Sequence, residues 1–334
     1  MQRDPHIPIP SFTESSQPLL SVVVPAFNEC QVLPLFHERL SAVLDKMPLR
    51  SEIIYVNDGS YDGTLGVMEN LQMRDPRVAL IDLSRNFGKE IALTAGLDHA
   101  GGDGVIIIDA DLQDPPELIP ELVKYWLEEG FDVVYAKRTA RDSESLVKRA
   151  SAYAFYRIIR LISKVPIPED TGDFRLISRR ACHSLRQLRE QHRFMKGLFA
   201  WIGYPQKMVP YHRDPRHSGK SKWNYWKLWN FSLEGITSFT SGPLKISTYL
   251  GMTIALGAFL FAAFIIFKKL FYGDPVPGYP SLMVVILFLG GVQLISIGIV
   301  GEYLGRMFDE AKQRPLYLVK GYQPSKSGKK DPDL

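Results

Sequence analysis

The 334-residue sequence is poor in several features that would have directed its reading. Cysteine occurs only at Cys30 and Cys182, so no disulfide framework can be built and both are expected to be free thiols. No G-x-G-x-x-G follows the first apolar run and no P-loop occurs, which disfavours dinucleotide and Walker-type ATP sites. Neither sign of charge dominates. Lys and Arg total 40 against 36 Asp and Glu, a net charge of +4, too small a surplus to argue for nucleic acid. Met1 to Pro18 has no apolar core of the signal-peptide kind. It is polar and rich in proline and serine, so residues 1–18 are expected to form a disordered tail.

Long apolar runs are present, and they are confined to one end. Ile246 to Phe267 and Ser281 to Gly301 contain no charged residue. At about 1.5 Å per residue each is long enough for the roughly 30 Å core of a bilayer. Joined by the Pro/Gly-rich Lys268 to Pro280, they predict a two-helix transmembrane hairpin within residues 244–305. Lys220, Lys222, Lys227 and Lys245 precede it and Arg306, Lys312, Arg314 and Lys320 follow it, whereas the connection carries only Lys268 and Lys269. The positive-inside bias then predicts a multi-pass inner (plasma) membrane protein with both termini cytoplasmic, residues 306–334 being the C-terminal tail. Glu302 is expected to pair with Arg306 one turn on. Gly251, Gly257, Gly290, Gly291, Gly298 and Gly301 would let helices approach closely, within the hairpin or between subunits.

Ahead of the hairpin, Lys207, Arg213, Arg216, Lys220, Lys222 and Lys227 face a single acid, Asp214, and are interleaved with Trp223, Tyr225, Trp226 and Trp229. Such a stretch, Lys207 to Lys227, reads as an interfacial belt drawn to anionic headgroups, and residues 216–243 are expected to form the interfacial segment between the α/β domain and the hairpin.

Residues 19–215 alternate between short β-branched runs and helical segments. Strands are expected at Ser21–Val24, Glu52–Val56, Val78–Leu83, Val105–Ile108 and Asp132–Tyr135. Helices are expected at Asn28–Met47, Asp62–Met73, Lys89–Ala100, Pro115–Glu129, Ser143–Lys164 and Arg179–Glu190. That alternation predicts an α/β domain with a parallel sheet covered on both faces. Ligands of such sheets sit beyond the C-terminal strand ends. Three loops there carry acceptors: Pro25-Ala26-Phe27-Asn28-Glu29, Asn57-Asp58-Gly59-Ser60, and Asp109-Ala110-Asp111-Leu112-Gln113. Two acids one residue apart, closing an apolar strand, suit a hard cation over a polyphosphate. Asp114, Pro115 and Pro116 read as the cap and opening of the next helix.

Together S-V-V-V-P-A-F-N-E (Ser21–Glu29), N-D-G-S (Asn57–Ser60), D-A-D-L-Q-D-P-P-E (Asp109–Glu117) and G-D-F-R-L (Gly172–Leu176) resemble glycosyltransferase family 2, of GT-A (Rossmann-like) fold. H-S-G-K-S-K-W (His217–Trp223) and G-I-V-G-E-Y-L-G-R (Gly298–Arg306) are similar to its polyprenyl-phosphate branch, the bactoprenol glucosyltransferases (GtrB-like). The resemblance implies a hexose, glucose above all, passed with inversion from a UDP-sugar donor to a polyprenyl (undecaprenyl) phosphate acceptor. Pro25, Asn28, Glu29, Asp58, Arg85, Lys89 and Asp109 would bind the nucleotide. Asp109, Asp111 and Gln113 would hold Mg²⁺ or Mn²⁺. Asp173, Asp111 and Arg175 would be catalytic, Asp173 as base or as ion-pair partner of Arg175 or another basic residue. Arg138, Lys148, Arg149, Arg213 and Lys220, with Arg175, would receive the lipid phosphate or diphosphate. The resemblance also implies contact with membrane lipids, a homo-oligomer such as a tetramer, a flippase partner if the sugar is used outside, and no nucleic-acid role. The rivals are another donor (GDP-mannose, UDP-GlcNAc), a non-catalytic nucleotide-sugar scaffold, or a processive synthase, whose Q-x-x-R-W motif the sequence lacks.

Overall fold

The computed structural model describes residues 17–139, 171–211, 242–272 and 278–326. The expected helix Ser143–Lys164, the H-S-G-K-S-K-W motif and its aromatic surroundings lie outside the described residues. So do Lys148, Arg149, Arg213 and Lys220.

The described residues before position 212 fold as β1 (Leu19–Ala26), α1 (Leu33–Leu44), β2 (Arg50–Asn57), α2 (Thr64–Arg74), β3 (Val78–Leu83), α3 (Lys89–His99) and β4 (Gly104–Ile107). A 3₁₀ turn (Pro116–Leu118) follows, then α4 (Ile119–Leu127), β5 (Val133–Arg138), β6 (Thr171–Ser178), α5 (Arg179–Gln187), α6 (Met195–Trp201) and β7 (Gln206–Tyr211). Two long helices, α7 (Gly242–Tyr272) and α8 (Tyr279–Ala311), precede a last strand, β8 (Val319–Gln323). The eight strands form one sheet in the order β7-β5-β6-β4-β1-β2-β3-β8.

Side chains alternate across each strand, so the two faces are built separately. Val22, Val24, Ile53, Tyr55 and Ile106 pack with α1, α2 and α4 residues on one face. Val23, Ile54, Val56, Val105 and Ile107 pack with residues of α3, α5 and α6 on the other. Gly96 of α3 is needed for close packing, since a Cβ there would stand 2.3 Å from Val23 Cγ1.

Three expectations are corrected. The sheet is not all parallel: β1, β2, β3 and β4 are parallel neighbours, but β6 runs antiparallel between β4 and β5. Helix α1 opens at Leu33 rather than Asn28. Asn28 adopts φ +57, and the backbone N–H groups of Asn28 and Glu29 donate to Ser60 Oγ (3.0 Å) and Thr64 Oγ1 (2.9 Å). Those groups cross-link two loops instead of starting a helix. Asp114 does not cap the following turn either, where Pro115 is the N-cap residue and makes no side-chain cap. Its carboxylate instead accepts from the Tyr211 hydroxyl.

Helices α7 and α8 present Phe259, Leu260, Phe264, Phe288, Leu294 and Ile295 to the outside, an apolar surface that water does not tolerate at this extent. Among the described residues, Phe288–Ala311 is long and apolar enough to cross a membrane, and Ser247–Phe261 is a shorter apolar stretch. Arg306 Nε donates to Glu302 at 3.1 Å, as expected. A Cβ at Gly251, Gly257, Gly290, Gly291, Gly298 or Gly301 would meet nothing within 4 Å, so the described parts of the two helices do not meet through these glycines. Cys30 and Cys182 are free thiols.

Candidate active site

Strand direction assembles the site. Parallel β1, β2, β3 and β4 deliver the loops 27–32, 58–63, 84–88 and 108–115 to one sheet edge. Because β6 is antiparallel, with Arg175 opposite Ile107, its first residues extend past the C-terminal end of β4 and bring Asp173 to the same edge. β5 and β7 end there as well, with Arg138 beside Tyr211.

At the centre Lys89, the first residue of α3, places its ammonium between two carboxylates. Nζ lies 2.6 Å from Asp109 Oδ2 and also donates to Asp173 Oδ2. Asp173 Oδ1 is buried with no hydrogen-bond partner among the described residues. The two acids are polarised in opposite directions. Burial pushes Asp109 up to about 6 although Lys89 pulls it down. Burial also works against the Asp173 charge, but Lys89 and Lys196 overcome it and hold Asp173 well below the usual carboxylate range. Asp173 is the firmly ionised member.

Arg175 is 4% exposed. Its guanidinium donates to the carbonyls of Asp173 (3.2 Å) and Gly172 (2.8 Å) and lies 3.8 Å over the Phe199 ring. It braces the β6 backbone, and the ion-pair partner of Asp173 is Lys89. Burial lowers Arg175 to about 10. Arg138 Nε reaches Tyr211 Oη at 3.4 Å.

Sequence reasoning passed over two further groups here. Glu90 accepts from the Met195 N–H at 3.2 Å, and Lys196, next in α6, feels both Asp173 and Glu90 while burial lowers it. Burial, seconded by Asp173, pushes Glu90 up to about 7. A carboxyl raised this way in the folded state contributes stability below the unfolded value of about 4.3 and loses it as pH climbs through about 7. Glu90→Gln should therefore gain thermal midpoint relative to the parent between about pH 5 and pH 8. Thermal unfolding in detergent at both ends of that window would show it, and a pH-independent difference would contradict the assignment.

Beyond the end of β2, Asp58 is 3% exposed, and its two oxygens accept from the N–H groups of Phe87 (2.7 Å) and Gly88 (3.0 Å). Asp58 thereby fixes the 84–88 loop, in which Arg85 stacks 4.0 Å from the Phe87 ring. Pro25, near the end of β1, sits opposite Val56 of β2. Gly59, at φ +64, passes so close to the same loop that a Cβ would lie 2.3 Å from the Arg85 carbonyl carbon. Gly59→Ala should cost about 1–3 kcal/mol of stability, readable as a lowered thermal midpoint. An unchanged midpoint would mean that this crossing is looser than described.

The acidic turn is itself constrained. Leu112 is buried at φ +58, an unusual conformation for a bulky residue, and Asp111 Oδ1 accepts from the Gln113 N–H at 3.1 Å. Among the described residues no three His, Cys, Asp or Glu side chains form a metal cage. That donor set still fits Mg²⁺ or Mn²⁺, which bind through one or two carboxylates and complete their shells with water and substrate phosphate. The Lys89 ammonium between Asp109 and Asp173 shows that this spot accommodates positive charge.

Two family matches divide the chain. Residues 21–186 match Glycosyl transferase family 2, and residues 242–307 match the GtrB C-terminal hairpin. An uncharacterized glycosyltransferase of Synechocystis sp. is 54% identical over 300 residues, 90% of this chain and 94% of that protein. A bactoprenol glucosyl transferase of Shigella phage SfV is 48% identical over 301 residues, 90% of this chain and 98% of that protein. The crystal structure of glucosyl-3-phosphoglycerate synthase from Mycobacterium tuberculosis with Mn²⁺, UDP-glucose and phosphoglyceric acid is 23% identical. It covers 66% of this chain and 78% of that one with a TM-score of 0.45.

Proposed function

The chain belongs to glycosyltransferase family 2 and carries the GtrB-type hairpin, and we propose that it transfers glucose from UDP-glucose to a polyprenyl phosphate at the cytoplasmic membrane face. Both long helices would span the bilayer, and the site would lie close to the headgroups where the acceptor phosphate resides. The observation that carries this reading is the pairing at the sheet edge: an acid turn that suits a diphosphate-bound cation, beside an ionised carboxylate with one buried oxygen unsatisfied among the described residues.

The work divides among the residues as follows. Asp58, Asn28 and Glu29 set the loops around the base and ribose, with Pro25 beneath them. Arg85 and Lys89 supply positive charge to the diphosphate. Asp109, Asp111 and Gln113 would hold Mg²⁺ or Mn²⁺, which when bound neutralises the departing UDP. The acceptor, a phosphate monoester with a second pKa of about 6, is mostly a dianion near neutral pH and needs little deprotonation. One of its oxygens forms the bond to the sugar C1 as the C1–oxygen bond to UDP breaks, the electron pair leaving with UDP. The configuration inverts. Asp173 offers its free oxygen to a sugar hydroxyl or to the remaining proton of a monoanionic acceptor. Arg138 guards the acceptor side, with Lys148, Arg149, Arg213 and Lys220 as further contributors.

The test is label transfer into the organic phase by detergent-purified protein with Mg²⁺ and undecaprenyl phosphate, from UDP-glucose, UDP-GlcNAc and GDP-mannose in separate reactions. Transfer from UDP-glucose is expected. Transfer from another donor alone would keep the chemistry and replace the sugar, and none from any donor would remove the enzymatic reading.

A further inference from the structure

The segment after α8 does more than trail from the membrane. The last turn of α8 is fastened to the catalytic domain: Glu310 Oε1 accepts from the Gln191 N–H at 2.7 Å, and Asp309 lies 3.2 Å from His192 Nε2. The chain then returns to the sheet. The Tyr317 hydroxyl donates to Asp98 at 2.8 Å, and the Leu318 carbonyl accepts from Ser84 N–H at 2.9 Å. Strand β8 pairs antiparallel with β3, Gly321 opposite Asp82.

Asp82 is the pivot. Lys320 Nζ stands 3.5 Å from Asp82 Oδ2, and Asp82 Oδ1 accepts from Asn57 Nδ2 at 2.7 Å. Asn57 Oδ1 accepts from the Ser60 N–H at 3.1 Å. Ser60 Oγ accepts from the Asn28 N–H at 3.0 Å, and Asn28 Oδ1 from the Tyr61 N–H at 3.1 Å. A continuous polar chain thus links the tail to both loops that face the nucleotide. Asn57 is buried and uses each end of its amide once, so its orientation depends on Asp82 remaining where it is.

We propose that Lys320, on strand β8, is a positioning residue for the nucleoside-diphosphate donor, and that the tail ties the donor loops to the exit of the second membrane helix. This rests on reading the 27–32 and 58–63 loops as the nucleotide half of the site. The tail acts through Asp82 and Asn57 and touches no reacting atom.

The test compares full-length Lys320→Met, Lys320→Arg and Tyr317→Phe/Lys320→Met in detergent. Hydrogen exchange of peptides covering 57–61 is read against a β4 reference, 104–108. Steady-state KM for donor and for acceptor, and kcat, are measured alongside. An exposed ion pair contributes modestly, so Lys320→Met should speed exchange at Ser60 and Tyr61 and raise donor KM by about threefold. Acceptor KM and the β4 reference should hold, and kcat should stay within about twofold. Lys320→Arg should restore both values, and the double variant should exceed the single one. Unchanged exchange at 57–61 in the double variant, or donor and acceptor KM rising together, would overturn the proposal. If the parent protein failed to use any nucleotide sugar, the reading of the site would fall, while the exchange comparison would still decide whether the tail holds these loops.

Discussion

Asp109→Asn is expected to lower transfer by about 10²–10³-fold, as loss of one preorganised group acting on developing charge does. The substitution keeps size and one acceptor oxygen but removes one of the two negative charges flanking Lys89. The fall should appear mainly in kcat, because the missing charge would hold the cation that offsets the leaving diphosphate. Folding should survive, since Lys89 retains Asp173. A variant with normal kcat would place the cation elsewhere. Asp111→Asn should fall in the same direction, its side chain standing on the strained turn at Leu112.

The second large effect belongs to Asp173. Asp173→Asn should lower kcat by about 10²–10⁴-fold if its free oxygen takes a proton or a hydroxyl hydrogen bond during transfer. Its other oxygen is occupied by Lys89, so a purely structural duty, holding that ammonium, is a concrete rival. Lys89→Met separates the two. If Asp173 serves only to hold Lys89, adding Asp173→Asn to the Lys89→Met background changes nothing further. If Asp173 acts on substrate, a further loss of at least tenfold remains, because the coupling between neighbours is then only part of its contribution.

What was legible in advance follows from locality. Asp109 and Asp111 stood out because a β-branched run has no reason of its own to end in acids, and such a run fixes both strand and edge. Asp173 could be named by resemblance, but its meeting with Lys89 depended on β6 running antiparallel beside β4, a non-local pairing that no periodicity encodes. Glu90 looked like an ordinary first-turn acid of α3, favourable to the helix dipole. Lys196 was hidden in an apolar stretch, although a lysine between Met195 and Gly197 in that setting was a signal. β8 is hard to read from sequence for a different reason. Val-Lys-Gly-Tyr-Gln is short, carries a glycine and a lysine, and is exposed along its length, the composition of an edge strand that avoids unwanted pairing. The helix start at Leu33 departs from the sequence pattern because Asn28 and Glu29 serve the loop opposite, a tertiary demand that overrides helical patterning.

In the proposed mechanism the acids beyond β4 act through a divalent ion on the nucleotide diphosphate. The measurement that tests it most directly is glucose transfer from UDP-glucose to undecaprenyl phosphate by metal-stripped protein, titrated with Mn²⁺ or Mg²⁺. Activity should be absent after stripping and return on titration, with Asp111→Asn requiring more metal to reach a lower plateau. Full transfer by the stripped protein, insensitive to chelator, would contradict the account.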